Sequence, residues 1–235
     1  FDQGVGVGGL STIDSKTPSA YEEVFDSLDA VTGDSNGLVG MSNSGVFVYD
    51  NTIMGNSLSI QYGKGAGTNN ADGAASGTTG ASGSSYDFAI TNSSLYDGMT
   101  VGAGYGKIAN AGPGTDGQSD NEHYTAFVTY TNSGVTVGYQ EAMVGDGVAG
   151  SNQEYAQDWA VAVNLMEGLS VSYGARDIEH QKASASHVTE EQKGFAVAYT
   201  MGSATIALQN NEVDNNGGTT GTSDENTEIR LSLAF

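Results

Sequence analysis

Carboxylates are concentrated in a short stretch near the start of the chain. Positions 10–40 hold six acidic residues against one basic residue, Lys16. Fixed carboxylates attract cations and repel anions, most strongly where they line a narrow passage. Neither a histidine nor a recognisable nucleophile accompanies them, so the cluster does not predict catalysis, and we expect no enzymatic activity. The five acids on which the interpretation depends are Asp14, Glu22, Glu23, Asp26 and Asp29.

The same stretch has the pattern of a short helix. Ser19 and Glu22 have the spacing of a capping box, and Tyr21, Phe25 and Leu28 recur at helical intervals. A connection as long as 10–40 is more often functional than not. The alternative is a solvated surface helix whose acids only keep it soluble.

The remaining polar clusters carry weaker signals. The three histidines, His123, His180 and His187, fall at strand ends or in loops, and nothing marks a catalytic triad. The loops DNNGG (214–218) and SDENTE (223–228) offer oxygen ligands for Ca²⁺, but they lack the ordered spacing of a calcium loop, and solvated loops are the alternative. We therefore predict no cofactor, with Ca²⁺ in the acidic loops left open.

Composition excludes several classes of protein. The formal net charge is −21, which argues against nucleic-acid binding. The chain has no cysteine, so disulfides and thiolate chemistry are excluded. No stretch approaches the length of an apolar membrane helix. The first residues, FDQGVGVGG, do not form a signal peptide, and we expect the chain to be processed or part of something longer.

Alternating apolar and polar residues dominate the chain after position 40. Short and long connections alternate between the predicted strands, which is typical of an up-and-down meander elaborated on one rim. The predicted strands are 5–8, 46–50, 57–64, 85–92, 99–108, 123–132, 135–144, 157–166, 169–179, 192–201, 204–212 and 225–235.

The two faces of these strands differ in chemistry. One face is rich in Val, Leu, Ile and aromatic residues, and the other in Ser, Thr, Gly and Gln. Small polar residues suit the lining of a water-filled interior, so this pattern predicts a closed transmembrane barrel with its apolar face outward. A soluble sandwich also alternates and is the alternative. Arg176 and Arg230 fall on the polar face. The alternative for each is a pairing with a neighbouring acid of that face, as for Arg230 with Glu228, two positions before it.

Aromatic residues mark one level of the apolar face. In a meander, the strands entering and leaving the long connections would place eight of them in a ring, where amphipathic rings favour a membrane–water interface. Ordinary cross-strand pairing is the alternative. The eight are Tyr62, Tyr86, Tyr105, Tyr124, Tyr139, Trp159, Tyr173 and Phe195.

Three segments resemble the general porins of Gram-negative bacteria. IDSKTPSAYEEVFDSL (13–28) is similar to the inward-folded third loop of alphaproteobacterial, marine-type porins. GVFVYDNTIMGNSLSIQY (45–62) resembles the strand–turn–strand that follows this loop. EIRLSLAF (228–235) resembles the membrane-insertion signal, in which a terminal Phe235 follows the alternate apolar residues Ile229, Leu231 and Leu233.

The resemblance implies an outer-membrane channel. It implies that 10–40 is the constriction loop, whose carboxylates face basic residues on the barrel wall, for which Arg176 and Arg230 are candidates. It further implies passive diffusion of small hydrophilic solutes and ions, a homotrimer, and contact with outer-membrane lipid and lipopolysaccharide. A non-conducting structural or adhesive acidic β-protein of the cell surface is the alternative.

The strand count adds one expectation. In general porins the constriction loop follows the fifth of sixteen strands, whereas here it follows the first of twelve. The chain therefore looks like strands five to sixteen of such a barrel, and a genuine twelve-stranded barrel is the alternative. On either interpretation we expect a single all-β domain over 1–235.

Overall fold

The chain forms one antiparallel sheet in which every strand pairs with its neighbours in sequence. The computed structural model describes residues 8–24, 46–63, 84–108, 120–145, 153–181 and 186–234. Within these ranges the sheet has eleven strands: β1 (Val46–Ile53), β2 (Asn56–Gly63), β3 (Ser85–Asn92), β4 (Met99–Ile108), β5 (Asn121–Asn132), β6 (Val135–Gly145), β7 (Gln153–Met166), β8 (Leu169–Gln181), β9 (Val188–Met201), β10 (Ala204–Asp214) and β11 (Ser223–Leu233).

The predicted all-β, up-and-down architecture is confirmed. Each of the eleven strands predicted after position 40 is present, with ends displaced by a few residues. The predicted strand at 5–8 lies outside the described residues except for Gly8. Among the described strands, β1 and β11 are the two edges and do not pair with each other, so these strands do not show the expected closure.

Short turns connect the strands at one end of the sheet, which we call the turn end. Two of them, Met54–Gly55 and Ser133–Gly134, have positive φ at both central residues. This is the conformation of a type I′ turn, whose twist matches that of the flanking strands. The opposite end carries the longer connections, and we call it the loop end.

Burial alternates along the strands in the sense opposite to that of a soluble protein. The buried positions hold polar side chains, among them Gln61, Gln140 and Gln209, each at most 1% exposed. The exposed positions hold large apolar side chains, such as Leu231 at 62%. We call the polar side the inner face and the apolar side the outer face. A soluble sandwich would enclose the apolar face, so this distribution excludes that alternative for the described strands.

The predicted helix beginning at Ser19 is wrong over the part that the structure describes. Residues 19–24 form bends and a turn, and the short helix of this region is a 3₁₀ helix at Gly9–Ile13. The residues after 24, which include Phe25 and Leu28, lie outside the described ranges. The described part of the chain contains no helix that is both long and apolar enough to cross a membrane.

Candidate functional site

Residues 8–24 cross the inner face of the sheet, and we call them the crossing segment. At its start, the backbone N–H of Gly9 donates to Ser59 Oγ on β2 at 2.7 Å. The backbone N–H of Leu10 donates to the Asp87 carboxylate on β3. These bonds satisfy backbone groups that would otherwise be buried without partners, which fixes this end of the segment.

Apolar packing holds the same end. Leu10 and Ile13 are buried against alanines and larger apolar residues of the inner face. An apolar contact of this kind displaces water from the face locally and anchors the segment. The cluster comprises Leu10, Ile13, Ala89, Phe127, Ala142, Ala156 and Ile178.

The middle of the crossing segment is bound by one glutamine of β6. Gln140 Nε2 donates to the carbonyl of Ile13 at 3.1 Å, and Gln140 Oε1 accepts from the N–H of Lys16 at 2.7 Å. A glutamine amide can serve one donor and one acceptor of a crossing backbone at once. Gln140 is 1% exposed and so acts as a clamp rather than as a surface residue.

The far end of the crossing segment reaches β8, β10 and β11. The N–H of Ala20 donates to Ser172 Oγ at 2.8 Å, and Asn211 Nδ2 donates to the carbonyl of Glu23 at 3.3 Å. The segment is therefore bound to both halves of the sheet by polar side chains of the inner face.

Glycines of the inner face make room for the crossing segment. A Cβ at Gly138 would lie 2.4 Å from Pro18 Cδ, and a Cβ at Gly104 would lie 2.5 Å from Leu10 Cδ1. Real Cβ atoms do not approach other atoms so closely, so the segment packs directly on backbone at these positions. The abundance of glycine on this face is explained in part by these contacts.

We predict that Gly138→Val displaces the crossing segment at Pro18. Overpacking at such a contact costs about 1–3 kcal/mol, and the N–H groups of Lys16 and Ala20 should lose protection from hydrogen exchange. Hydrogen-exchange mass spectrometry of the folded protein in detergent measures the change. Thr136→Val, on the same strand and face, is the control. Equal protection in the Gly138 variant and the wild type would contradict this packing.

Of the five predicted acids, three lie within the described residues. Asp14, Glu22 and Glu23 all belong to the crossing segment, whereas Asp26 and Asp29 fall outside the described ranges. Burial raises the pKa of the Asp14 carboxyl, and the positive charge of Arg176 opposes that rise. The structure thus brings three predicted acids to the inner face, while their role at a constriction stays a prediction.

The two predicted arginines lie on the inner face in different environments. Arg176 is 1% exposed, and its Nε lies 3.0 Å from Asp158 Oδ1 on β7. Arg230 is exposed at the far end of the crossing segment, where Nη1 donates to the Tyr21 hydroxyl at 3.0 Å and lies 3.5 Å from Glu22 Oε1. Acidic and basic groups therefore meet on this face at two separate places.

The alternative pairing of Arg230 with Glu228 is present only through an intermediary. The Tyr21 hydroxyl donates to Glu228 Oε1 at 2.9 Å while it accepts from Arg230. The hydroxyl of Tyr21 in the crossing segment thus connects Glu228 and Arg230, two charged residues of β11.

The predicted aromatic residues form a continuous row on the outer face. Across neighbouring strands the row shifts by two, four and two residues, each time away from the loop end. A row at constant height must shift in one direction when the strands are tilted. Ring contacts are local, as between Trp159 and Tyr173, whose centroids lie 5.7 Å apart. The directly opposed pairs are Tyr62–Tyr86, Tyr105–Tyr124, Tyr139–Trp159 and Tyr173–Phe195.

The other sequence motifs are placed as follows. Ile229, Leu231 and Leu233 are exposed on the outer face of β11, and Phe235 lies outside the described residues. The DNNGG loop contains a 3₁₀ turn, and SDENTE forms the start of β11. No group of three or more His, Asp or Glu side chains within the described ranges is arranged to hold a metal ion.

Sequence reasoning missed a buried polar cluster on β7, β8 and β9. His180 Nδ1 lies 3.1 Å from Glu154 Oε1, and His180 Nε2 lies 3.0 Å from Glu190 Oε2. All three residues belong to the polar face by alternation along their strands, which is the signal that could have identified them.

Comparison with known proteins identifies the fold. A solved structure described as a porin refined at 1.8 Å resolution matches this chain with a TM-score of 0.67 at 14% sequence identity. The match covers 99% of this chain and 76% of that one. No family model and no curated protein sequence matches the chain. The likeness shows a porin-like fold, and at this identity it shows the fold alone.

Proposed function

We propose that this chain forms a channel of the bacterial outer membrane, through which small hydrophilic solutes and ions diffuse passively. One observation carries the proposal: polar side chains are buried on the inner face while large apolar side chains are exposed on the outer face. Such a sheet is suited to contact with lipid hydrocarbon on its outer face and with water on its inner face. The porin-like fold supports the same conclusion.

We infer the position of the sheet in the membrane from the aromatic row. Tyrosine and tryptophan favour the boundary between hydrocarbon and headgroups, so the row of eight aromatic residues marks one boundary of the apolar band. Acidic side chains such as Glu122 and Glu141 are exposed on the outer face beyond the row, on the loop side. We propose that these acids lie among the lipid headgroups, in contact with outer-membrane lipid and lipopolysaccharide. We further propose that the channel assembles as a homotrimer.

The crossing segment is proposed to be the constriction of this channel. It runs across the inner face and carries Asp14, Glu22 and Glu23. Hydrogen bonds to β2, β3, β6, β8 and β10 hold it in place. A fixed acidic segment in a narrow passage favours cations over anions by Coulomb attraction.

Planar-bilayer recording tests the channel. The purified protein, refolded in detergent and checked for β-structure by circular dichroism, is expected to give stable conductance steps that are linear in voltage. Silence from correctly folded protein would overturn the proposal and favour the non-conducting structural or adhesive alternative.

We predict that Glu22→Gln combined with Glu23→Gln lowers the cation preference of the channel. A charge about 6 Å from an ion in water contributes about 0.7 kcal/mol, or about threefold in permeability ratio for each charge removed, before screening by salt. Reversal potentials in a salt gradient at low ionic strength measure the ratio.

The control for this experiment removes the same charge from the outer face. Glu122→Gln combined with Glu141→Gln should leave the reversal potential unchanged, because these side chains are exposed outside the barrel wall. A shift that is equal in both double variants would mean that overall charge, rather than the crossing segment, sets the selectivity.

A further inference from the structure

The connection between β10 and β11 contacts strands other than the two that it joins. Its residues 215–222 include a 3₁₀ turn at Asn216–Gly218. The N–H of Gly217 donates to Glu190 Oε2 on β9 at 2.8 Å, and Asn215 Nδ2 donates to the carbonyl of Thr189, also on β9, at 3.0 Å. We call residues 215–222 the flap, because these contacts fold them back over the neighbouring strand.

The flap also reaches β8, two strands away from β10. Gly218 is buried against the ring of His180, and a Cβ at this glycine would lie 2.6 Å from His180 Cγ. Gly218 also has a φ of +65°, a conformation that disfavours any other residue. Both the backbone conformation and the packing therefore require glycine at the point where the flap meets the inner face.

The group beneath the flap is a charged bridge across three strands. His180 lies between Glu154 of β7 and Glu190 of β9, and each ring nitrogen is within 3.1 Å of a carboxylate oxygen. An imidazole can donate from both nitrogens only in its protonated form, so a position between two carboxylate oxygens favours a positive ring. His180 is 6% exposed and Glu190 is 0% exposed.

Burial raises the free-energy cost of the charges in this bridge. A buried carboxylate needs its charge offset and its oxygens hydrogen-bonded, and Glu190 meets this need with three donors. They are the His180 ring, the Gln192 amide and the N–H of Gly217. The flap thus supplies one of the three donors, so the bridge and the flap stabilise each other.

Internal bonds keep the flap compact. The N–H of Gly221 donates to Asn215 Oδ1 at 3.0 Å, and Thr222 Oγ1 donates to the carbonyl of Thr219 at 2.7 Å. These bonds hold residues 215–222 together independently of their contacts with β8 and β9.

We propose that the flap is a latched cover over the inner face at the loop end, held down by the Glu154–His180–Glu190 bridge, and that it narrows the entrance of the channel. The second half of this statement rests on the proposed function, whereas the first half does not. His180 acts here as a positioning residue.

Hydrogen exchange tests the latch without reference to conduction. In His180→Gln, one carboxylate loses its donor, and in Gly218→Ala, the added methyl group pushes the flap away while the bridge residues stay intact. Hydrogen bonds to charged groups are among the stronger hydrogen bonds of a protein, so we expect exchange in residues 215–222 to rise at least about tenfold in both variants.

The control is His187, which directly precedes β9 and also has a carboxylate partner. His187 Nδ1 lies 3.0 Å from Glu179 Oε1, and both side chains are exposed away from the flap. His187→Ala should leave exchange of residues 215–222 unchanged. Unchanged exchange in both His180→Gln and Gly218→Ala would overturn the latch, as would an equal rise in His187→Ala.

Bilayer recording then tests the entrance. If the wild-type protein conducts, His180→Gln and Gly218→Ala should raise the single-channel conductance or add flicker, and identical traces would overturn the claim that the flap narrows the entrance. If the wild type is silent while exchange still rises in both variants, the proposed channel function fails and the latch stands.

Discussion

Arg176→Met is expected to lower the free energy of unfolding by about 3–5 kcal/mol, the usual cost of breaking a buried ion pair by removing one partner. Arg176 is buried on the inner face, and its Nε lies 3.0 Å from Asp158 Oδ1. The substitution leaves a buried carboxylate without its main counter-charge, and Asp14 lies close enough to feel the same loss. Urea unfolding of the protein folded in lipid vesicles, followed by tryptophan fluorescence, measures the change.

Two further variants separate loss of the charge from loss of the side chain. Combining Arg176→Met with Asp158→Leu removes both charges, so most of the stability should return, as buried ion pairs can be replaced by apolar residues of similar volume. Arg230→Met removes an exposed arginine from the same face and should change stability far less. If the double variant were no more stable than Arg176→Met alone, the buried pair would not explain the loss.

The pairing of Asp158 with Arg176 depends on the register of the β7–β8 hairpin. If the pairing of β7 with β8 continued without a register shift from the two-residue turn at Glu167–Gly168, Asp158 would lie opposite Asp177. A register shift between Asn164 and Met166 instead brings Asp158 opposite Arg176. Alternation assigns Asp158 and Arg176 to the polar faces of β7 and β8. These two polar faces can lie on the same side of the sheet only if the hairpin contains such a shift.

Strand positions were predictable because alternation is a local property of the sequence. From Val46 onwards, each strand repeats apolar and polar residues with a period of two, and its ends are marked by Gly, Asn and Ser. It was also predictable that the polar face is buried and the apolar face exposed, because the aromatic residues of the apolar face form one row across the strands. The polar bridge around His180 was missed because the predicted strands 157–166, 169–179 and 192–201 end short of its three residues, so alternation was not extended to them.

The path of the crossing segment could not be derived from local patterns. Its hydrogen bonds join residues as far apart in sequence as Ile13 and Gln140, or Tyr21 and Glu228. These contacts exist only once the sheet has formed, and they override the helical spacing that begins at Ser19. A capping box stabilises a helix by about 1 kcal/mol, whereas the crossing segment makes several buried hydrogen bonds, each worth a similar amount.

Val171→Arg is expected to destabilise the protein in a bilayer, while the neighbouring Ser170→Arg is tolerated. Val171 lies on the outer face between Val163 and Val197, two positions from Tyr173 in the aromatic row. An arginine on the lipid face of a barrel costs about 2–4 kcal/mol at the bilayer midplane and about 0–1 kcal/mol near its boundaries, so at Val171, between the row and the turn end, we expect a loss of about 2 kcal/mol. Urea titration in vesicles measures this cost, and the same variant in mild detergent shows whether the sheet itself still forms.

Ser170→Arg is the decisive control because it adds the same side chain one residue away. Ser170 faces the other way and lines an open cavity of about 470 Å³ at the turn end, together with Thr200 and Asn164. A polar cavity accommodates a guanidinium group, so stability in vesicles should change little. If Ser170→Arg destabilised the protein as much as Val171→Arg, or if Val171→Arg were harmless in vesicles, then lipid would not cover the outer face, and the channel proposal would lose its physical basis.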